Sequence, residues 1–245
     1  MNPNAQSMSE IWVYLASSPL LWLTLTLVVY QFAMWLHRRL DLNPLANPVL
    51  IGVGILVGIL QLTDTSYQTY FDGAKFVHFL LGPATVALAV PLYAQLARLK
   101  SLLLPLLGAL ILGSLCAVVS AVVIGGIFGA SEATLLSLAP KSVTTPIAMG
   151  VAERIGGIPS LAVVFVLTTG VIGAIGARWL FKQMGEHDHA IQGFAIGIAA
   201  HGIGTARALQ ISEQAGAFSA LAMGLNGMLT ATLLPVMVPW LRALF

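Results

Sequence analysis

Lys141 stands between two prolines in the run Leu138-Ala139-Pro140-Lys141-Ser142-Val143-Thr144-Thr145-Pro146-Ile147-Ala148, inside a chain that is otherwise mostly hydrocarbon. A charge at membrane depth costs roughly 3 kcal/mol or more, so it faces a cavity, a partner or a pathway. Pro140 and Pro146 interrupt a helix and leave backbone groups that must find partners outside it. Pro140 is expected to open the following helix, where Ser142, Thr144 and Thr145 could cap the exposed amides. A helix N-terminus beside a lysine favours negative charge, so these residues predict a site for a small anion. The competing reading has Lys141 snorkelling to an interface. It lies about 13 Å from Glu132 along a continuous helix, which makes that reach strained.

A second segment combines His201-Gly202-Ile203-Gly204-Thr205-Ala206-Arg207. His201 could exchange a proton near neutral pH, and Arg207 could fork onto a carboxylate. Gly202 and Gly204 allow uncommon backbone conformations and close approach by a ligand, and Gly202 is expected to break the helix. Arg207 falls about 28 Å from Asp188 along a continuous helix, near a membrane face where arginine is ordinary. A third segment, Leu81-Gly82-Pro83-Ala84-Thr85-Val86, echoes 138–143 in its leucine, proline, hydroxyl and valine. Paired interruptions of this kind point to a transporter's binding site, which adds Pro83 and Thr85 to the candidates. Asn226, on the last apolar stretch, could hydrogen-bond inward.

No enzyme constellation appears. Lys141 and Ser142 are adjacent, so their side chains diverge on a helix, and no apolar stretch pairs two carboxylates. His187-Asp188-His189 lacks a fourth ligand and reads as solvated polar residues. Neither catalysis, a metal nor a cofactor is expected.

The elements that must position these residues are helices in lipid. Of 245 residues, 58% are apolar and 8% charged, and the mean hydropathy is +0.92. A soluble domain carries about 25% charged residues. Six charge-free stretches, 11–36, 42–63, 76–97, 102–131, 155–177 and 214–241, are long enough to span a bilayer, which needs roughly 20 residues. Segments 131–153 and 190–211 look like spans with embedded polar groups. The expectation is therefore an all-α, polytopic membrane protein. It would have about eight hydrophobic segments, some broken or re-entrant around a midplane site, in one domain over residues 1–245.

The net charge of +2 gives nucleic acid nothing to hold. The single cysteine, Cys116, rules out a disulfide within the chain and is expected to be buried. Small residues recur every four positions at Gly216, Ala220 and Gly224 and at Gly54 and Gly58. Such faces let helices pack closely in a bilayer, and a homo-oligomer is expected.

Four motifs in order then carry a resemblance. They are 140–148, 201–207, the run Pro83-Ala84-Thr85-Val86-Ala87-Leu88-Ala89-Val90-Pro91-Leu92-Tyr93, and Gly216-Ala217-Phe218-Ser219. From about Asn43 to the last span the chain strongly resembles the LrgB/CidB family. The resemblance implies the bacterial cytoplasmic membrane, and either of two activities. One is holin- and antiholin-like control of murein hydrolases and lysis, often with a smaller LrgA/CidA-type partner. The other is carriage of small organic anions, since plastid relatives carry glycolate and glycerate and bacterial relatives are linked to pyruvate uptake. Buried Lys141 and the hydroxyls at helix breaks favour a carrier of small monocarboxylates. Its substrate would meet Lys141, Ser142, Thr144, Thr145, Thr205 and the nearby His201, Gly204, Arg207 and Thr85.

Overall fold

The computed structural model describes residues 18–40, 46–87 and 89–243, and the side chains of His78, Leu81 and Thr85 are outside that description. Every regular element among these residues is helical. They form two compact units, divided after Ala87.

In the first unit, α1 (Pro19–Arg39) packs against α2 (Pro48–Leu62) and α3 (Tyr67–Phe79), and α4 (Leu81–Ala87) follows. Proline opens both α1 and α2, where its missing N–H costs nothing. The Asn47 side chain caps α2 by accepting from Val49 N at 2.8 Å and Leu50 N at 3.4 Å. Gly73 lets α3 meet α1, since a Cβ there would stand 2.4 Å from the Pro19 carbonyl oxygen. Trp22 is fully buried and meets Tyr70 edge-on.

The second unit begins with α5 (Ala89–Ala94) and α6 (Leu96–Ser101), then α7 (Leu103–Ile127), α8 (Glu132–Leu138) and α9 (Thr145–Ile155). It ends with α10 (Pro159–Met184), α11 (His189–Ile211) and α12 (Glu213–Arg242). α11 and α12 form its tightest pair. At Gly193 and Gly197 a Cβ would lie 2.1 Å from Ala215 O and 2.2 Å from Ser219 O, so the two backbones nearly touch. Such close approach is how small residues drive helix association without a hydrophobic effect. The repeat at Gly216 and Gly224 divides in two: Gly216 meets Leu209 of α11, while Gly224 faces open space. α7 lies across this pair, burying Leu106, Leu110, Ser114, Val118 and Val122 at four-residue spacing. Cys116 lies off that stripe and is exposed, contrary to the burial expected for it.

Side chains and ion pairs fix the short connections. Gly156, with φ 92°, ends α9 in the left-handed conformation that favours glycine. Ser137 Oγ donates to Ala133 O at 2.6 Å and accepts from Ile158 N at 2.7 Å, tying α8 to the start of α10. Ser137→Ala removes the partner of a half-buried amide and should cost about 1 kcal/mol. An unchanged unfolding midpoint in detergent would contradict it. Asp188 accepts from Ala190 N at 2.8 Å, capping α11, and pairs with Arg98. The middle of the His187-Asp188-His189 run thus has a structural task.

Among the described residues, four helices are long and apolar enough to cross a bilayer: Pro19–Arg39, Leu103–Ile127, Pro159–Met184 and Glu213–Arg242. The number rises to five if one bent helix pair counts as a single span. The chain is an all-α polytopic membrane protein, but a count of eight segments is not confirmed. The stretch expected over 42–63 yields a helix of 15 residues, about 22 Å long, against a hydrocarbon core of about 30 Å. The 76–97 stretch is divided among short helices, and 131–153 is broken by a turn.

Candidate functional site

The turn at 139–144 separates α8 from α9. Ser131 starts α8 by accepting from Thr134 N at 3.4 Å. Pro140 follows the end of this helix, and Lys141 N and Val143 N bond back to Leu138 O and Pro140 O. Pro140 therefore closes α8 instead of opening α9, and Pro146 takes the first turn of α9. Thr144 occupies the N-cap position of α9, but its side chain makes no cap bond, so that expectation fails for Thr144. Thr145 begins the helix and is half-buried, as is Thr144, whereas Ser142 is buried and Pro146 exposed.

Lys141 is half-buried and turns inward. Its Nζ donates to Ala117 O of α7 at 3.2 Å and to Ser142 Oγ at 3.3 Å. Among the described residues no carboxylate pairs with it. An ammonium has three donors, and neither partner here is charged. The inward hydrogen bonds favour a buried cation over one reaching for the interface.

The second break lies in α11, at His201, with φ 41° and ψ −133°. Gly202, expected to break the helix, has no positive φ, so the break falls one residue earlier. Contacts to the His201 ring explain the shift. Its Nε2 lies 3.0 Å from Val166 O of α10, and a Cβ at Gly170 would stand 2.8 Å from Cε1. Thr205 Oγ1 donates to His201 O at 2.8 Å and pairs with Ser219 Oγ of α12 at 2.9 Å. Gly204 is a packing glycine, since a Cβ there would meet Ala200 Cβ at 2.6 Å.

Asn226 of α12 joins the two breaks. Its Nδ2 donates to Ser142 O at 3.0 Å and to Ile198 O, three residues before the α11 break, at 3.1 Å. Its Oδ1 accepts from the buried hydroxyl of Ser114. Ser142, which accepts from Lys141, is thus linked through one amide to Ile198, in the turn of α11 that precedes the His201 break. Ser114 escaped the sequence reading, and Ser219 entered it only within the motif 216–219, with no bonding role. The available signal was an isolated polar residue within a long apolar helix, which membrane burial makes costly unless it is paired.

Of the other candidates, Arg207 bonds within its own helix, and Pro83 and Thr85 belong to the first unit. Arg207 donates Nη1 to Gln210 Oε1 at 2.7 Å on its own exposed helix surface. Pro83 falls in the first turn of α4, after the α3–α4 interruption, in the first unit. Thr85 belongs to the same short helix, and its side chain lies outside the described residues.

Cavities flank α7 on two sides. One of about 490 Å³ between α7 and α11 is lined by Gly113, Ala117, Ile198 and Ala199 among apolar residues. The other, of about 250 Å³ between α7 and α12, includes Ser114 and Thr230.

Residues 26–240, most of the chain, match the profile of the LrgB-like family. The chain belongs to the LrgB-like family. It is 37% identical over 217 residues to the uncharacterized protein YxaC of Bacillus subtilis, covering 89% of this chain and 94% of the relative. It is 31% identical over 218 residues to the holin-like protein CidB of Staphylococcus epidermidis, covering 89% and 95%. The antiholin-like protein LrgB of Bacillus mycoides is 30% identical over 225 residues, covering 91% and 97%. No solved structure matches. The family and the apolar helices together make this a multi-pass membrane protein.

Proposed function

We propose that this LrgB-like protein is a secondary carrier of small monocarboxylates of the glycolate, glycerate, lactate or pyruvate type. It would work in the bacterial cytoplasmic membrane by alternating access around its two broken helices. The observation carrying this reading is Lys141, a cation at a helix break held only by neutral oxygens. A carboxylate approaching it would gain a charge-assisted bond that the resting partners do not supply. Ser142, Thr144 and Thr145 lie beside it in sequence, so their hydroxyls are the nearest candidates for the substrate's hydroxyl or keto oxygen. Discontinuous helices with a cation and hydroxyls at the break recur in carriers for this reason.

A second reading rests on the relatives' names. A CidB named holin-like and an LrgB named antiholin-like align along nearly their whole length. They favour a membrane regulator of murein hydrolase activity and lysis, acting as a homo-oligomer or with a smaller LrgA/CidA-type partner. On the names alone this reading has the stronger support, because none of those names speaks of transport. The inward-turned Lys141 and the Asn226 network have no evident task in it.

Uptake of labelled glycolate by proteoliposomes, measured alongside leakage of an entrapped dye, separates the readings. A carrier takes up the acid saturably and retains the dye. A regulator shows no saturable uptake, and leakage depends on added LrgA-type protein.

A further inference from the structure

Among the described residues, Asn226 alone donates to backbone carbonyls at both helix breaks. A side-chain amide has one oxygen acceptor and two N–H donors. The Ser114 hydroxyl donates to that oxygen, which turns the nitrogen toward Ser142 O and Ile198 O. Each donor thereby serves a different broken helix. The holders, Ser114 and Asn226, sit on the unbroken helices α7 and α12. Asn226 is 1% exposed, so bulk water does not reach its amide to replace a bond that stretches. Displacing one break without the other would leave a buried amide or carbonyl unpaired, which is far costlier than moving both. The cavity beside Ser114 leaves α7 room to shift with them.

We propose that Asn226, oriented by Ser114, is a positioning residue that couples the Lys141 break to the His201 break, so that both open and close as one unit. Its functional meaning rests on the carrier reading, in which one site must change its exposure in a single step. The coupling itself is measurable without transport.

The test uses full-length protein in proteoliposomes with Cys116→Ser, because the native thiol is exposed. Single cysteines are introduced as Thr144→Cys at the first break and Gly202→Cys at the second. The Gly202 position is open, with only the Met223 sulfur near a Cβ, at 3.8 Å. His187→Cys, on the exposed α10–α11 connection, serves as control. Labelling rates with a small water-soluble maleimide are then compared.

Asn226→Ala should raise the rates at 144 and 202 together, by roughly tenfold, and leave 187 unchanged. Ser114→Ala should raise the same two by a smaller factor, and should add nothing on top of Asn226→Ala, since the residues act in one chain of bonds. General loosening would also move position 187 and would make the two substitutions additive. A response at one break only, at neither, or at all three positions overturns the proposal. If Asn226→Ala fails to fold, Ser114→Ala, which keeps the amide and its packing, decides by the same criteria. Coupled labelling without saturable uptake would count against the carrier reading alone, whereas uncoupled labelling overturns the coupling whatever the uptake.

Discussion

Lys141→Met is expected to abolish most uptake while leaving the protein as stable as before, or more so. Charge-assisted hydrogen bonds contribute about 1.5–3 kcal/mol, so losing the cation that meets a carboxylate should slow uptake at low substrate by roughly ten- to a hundredfold. Stability should move the other way. The ammonium is held by Ala117 O and Ser142 Oγ with no carboxylate among the described residues, so it keeps its desolvation cost. Methionine nearly matches its length and removes that cost. A structural lysine would behave in the opposite manner, with a lower unfolding midpoint and little specific change in uptake. Measuring both quantities on one preparation therefore distinguishes the roles. A folded Lys141→Met protein with undiminished uptake would remove Lys141 from the site.

Gly197→Val is expected to be strongly destabilising. A Cβ at this position would stand 2.2 Å from Ser219 O and 2.8 Å from the Ala222 Cβ. The nearest obstacle is backbone, which cannot rotate away, so α11 and α12 must separate. Separation would also stretch the bond between Thr205 and Ser219, and that from Asn226 to Ile198. The combined loss should be about 3 kcal/mol. Gly224→Ala, on the same helix pair but with nothing within 4 Å of its Cβ, serves as control and should change little. Thermal or denaturant unfolding in detergent measures both. Equal midpoints for the two variants would show that the α11–α12 contact is looser than its geometry states.

Local chemistry was the most legible part of the sequence. The break at 139–144 follows from Pro140 and Pro146, and the long helices over Leu103–Ile127 and Glu213–Arg242 follow from charge-free stretches. Number and register were less legible. Hydropathy cannot separate a continuous span from short helices of the same composition, as over Leu81–Ala87, Ala89–Ala94 and Leu96–Ser101. The α11 break was assigned to Gly202 on conformational freedom. Its location at His201 depends on Gly170 and Val166, 31 and 35 residues away in sequence. Asn226 was visible as an amide in an apolar helix. Its two acceptors could not be read, because both are backbone carbonyls and any residue type supplies one. Arg207 was drawn in by its chemistry, and in the structure it bonds Gln210 on its own helix.

The most direct test of the carrier account is counterflow with the purified protein alone. Proteoliposomes are preloaded with unlabelled glycolate, glycerate, lactate or pyruvate, then diluted into a trace of labelled acid. A carrier predicts transient accumulation of label above equilibrium for at least one of these acids, absent from Lys141→Met vesicles. Label that only equilibrates, with no stimulation by the acid inside, would contradict alternating access and leave the holin-like reading of the relatives' names in its place.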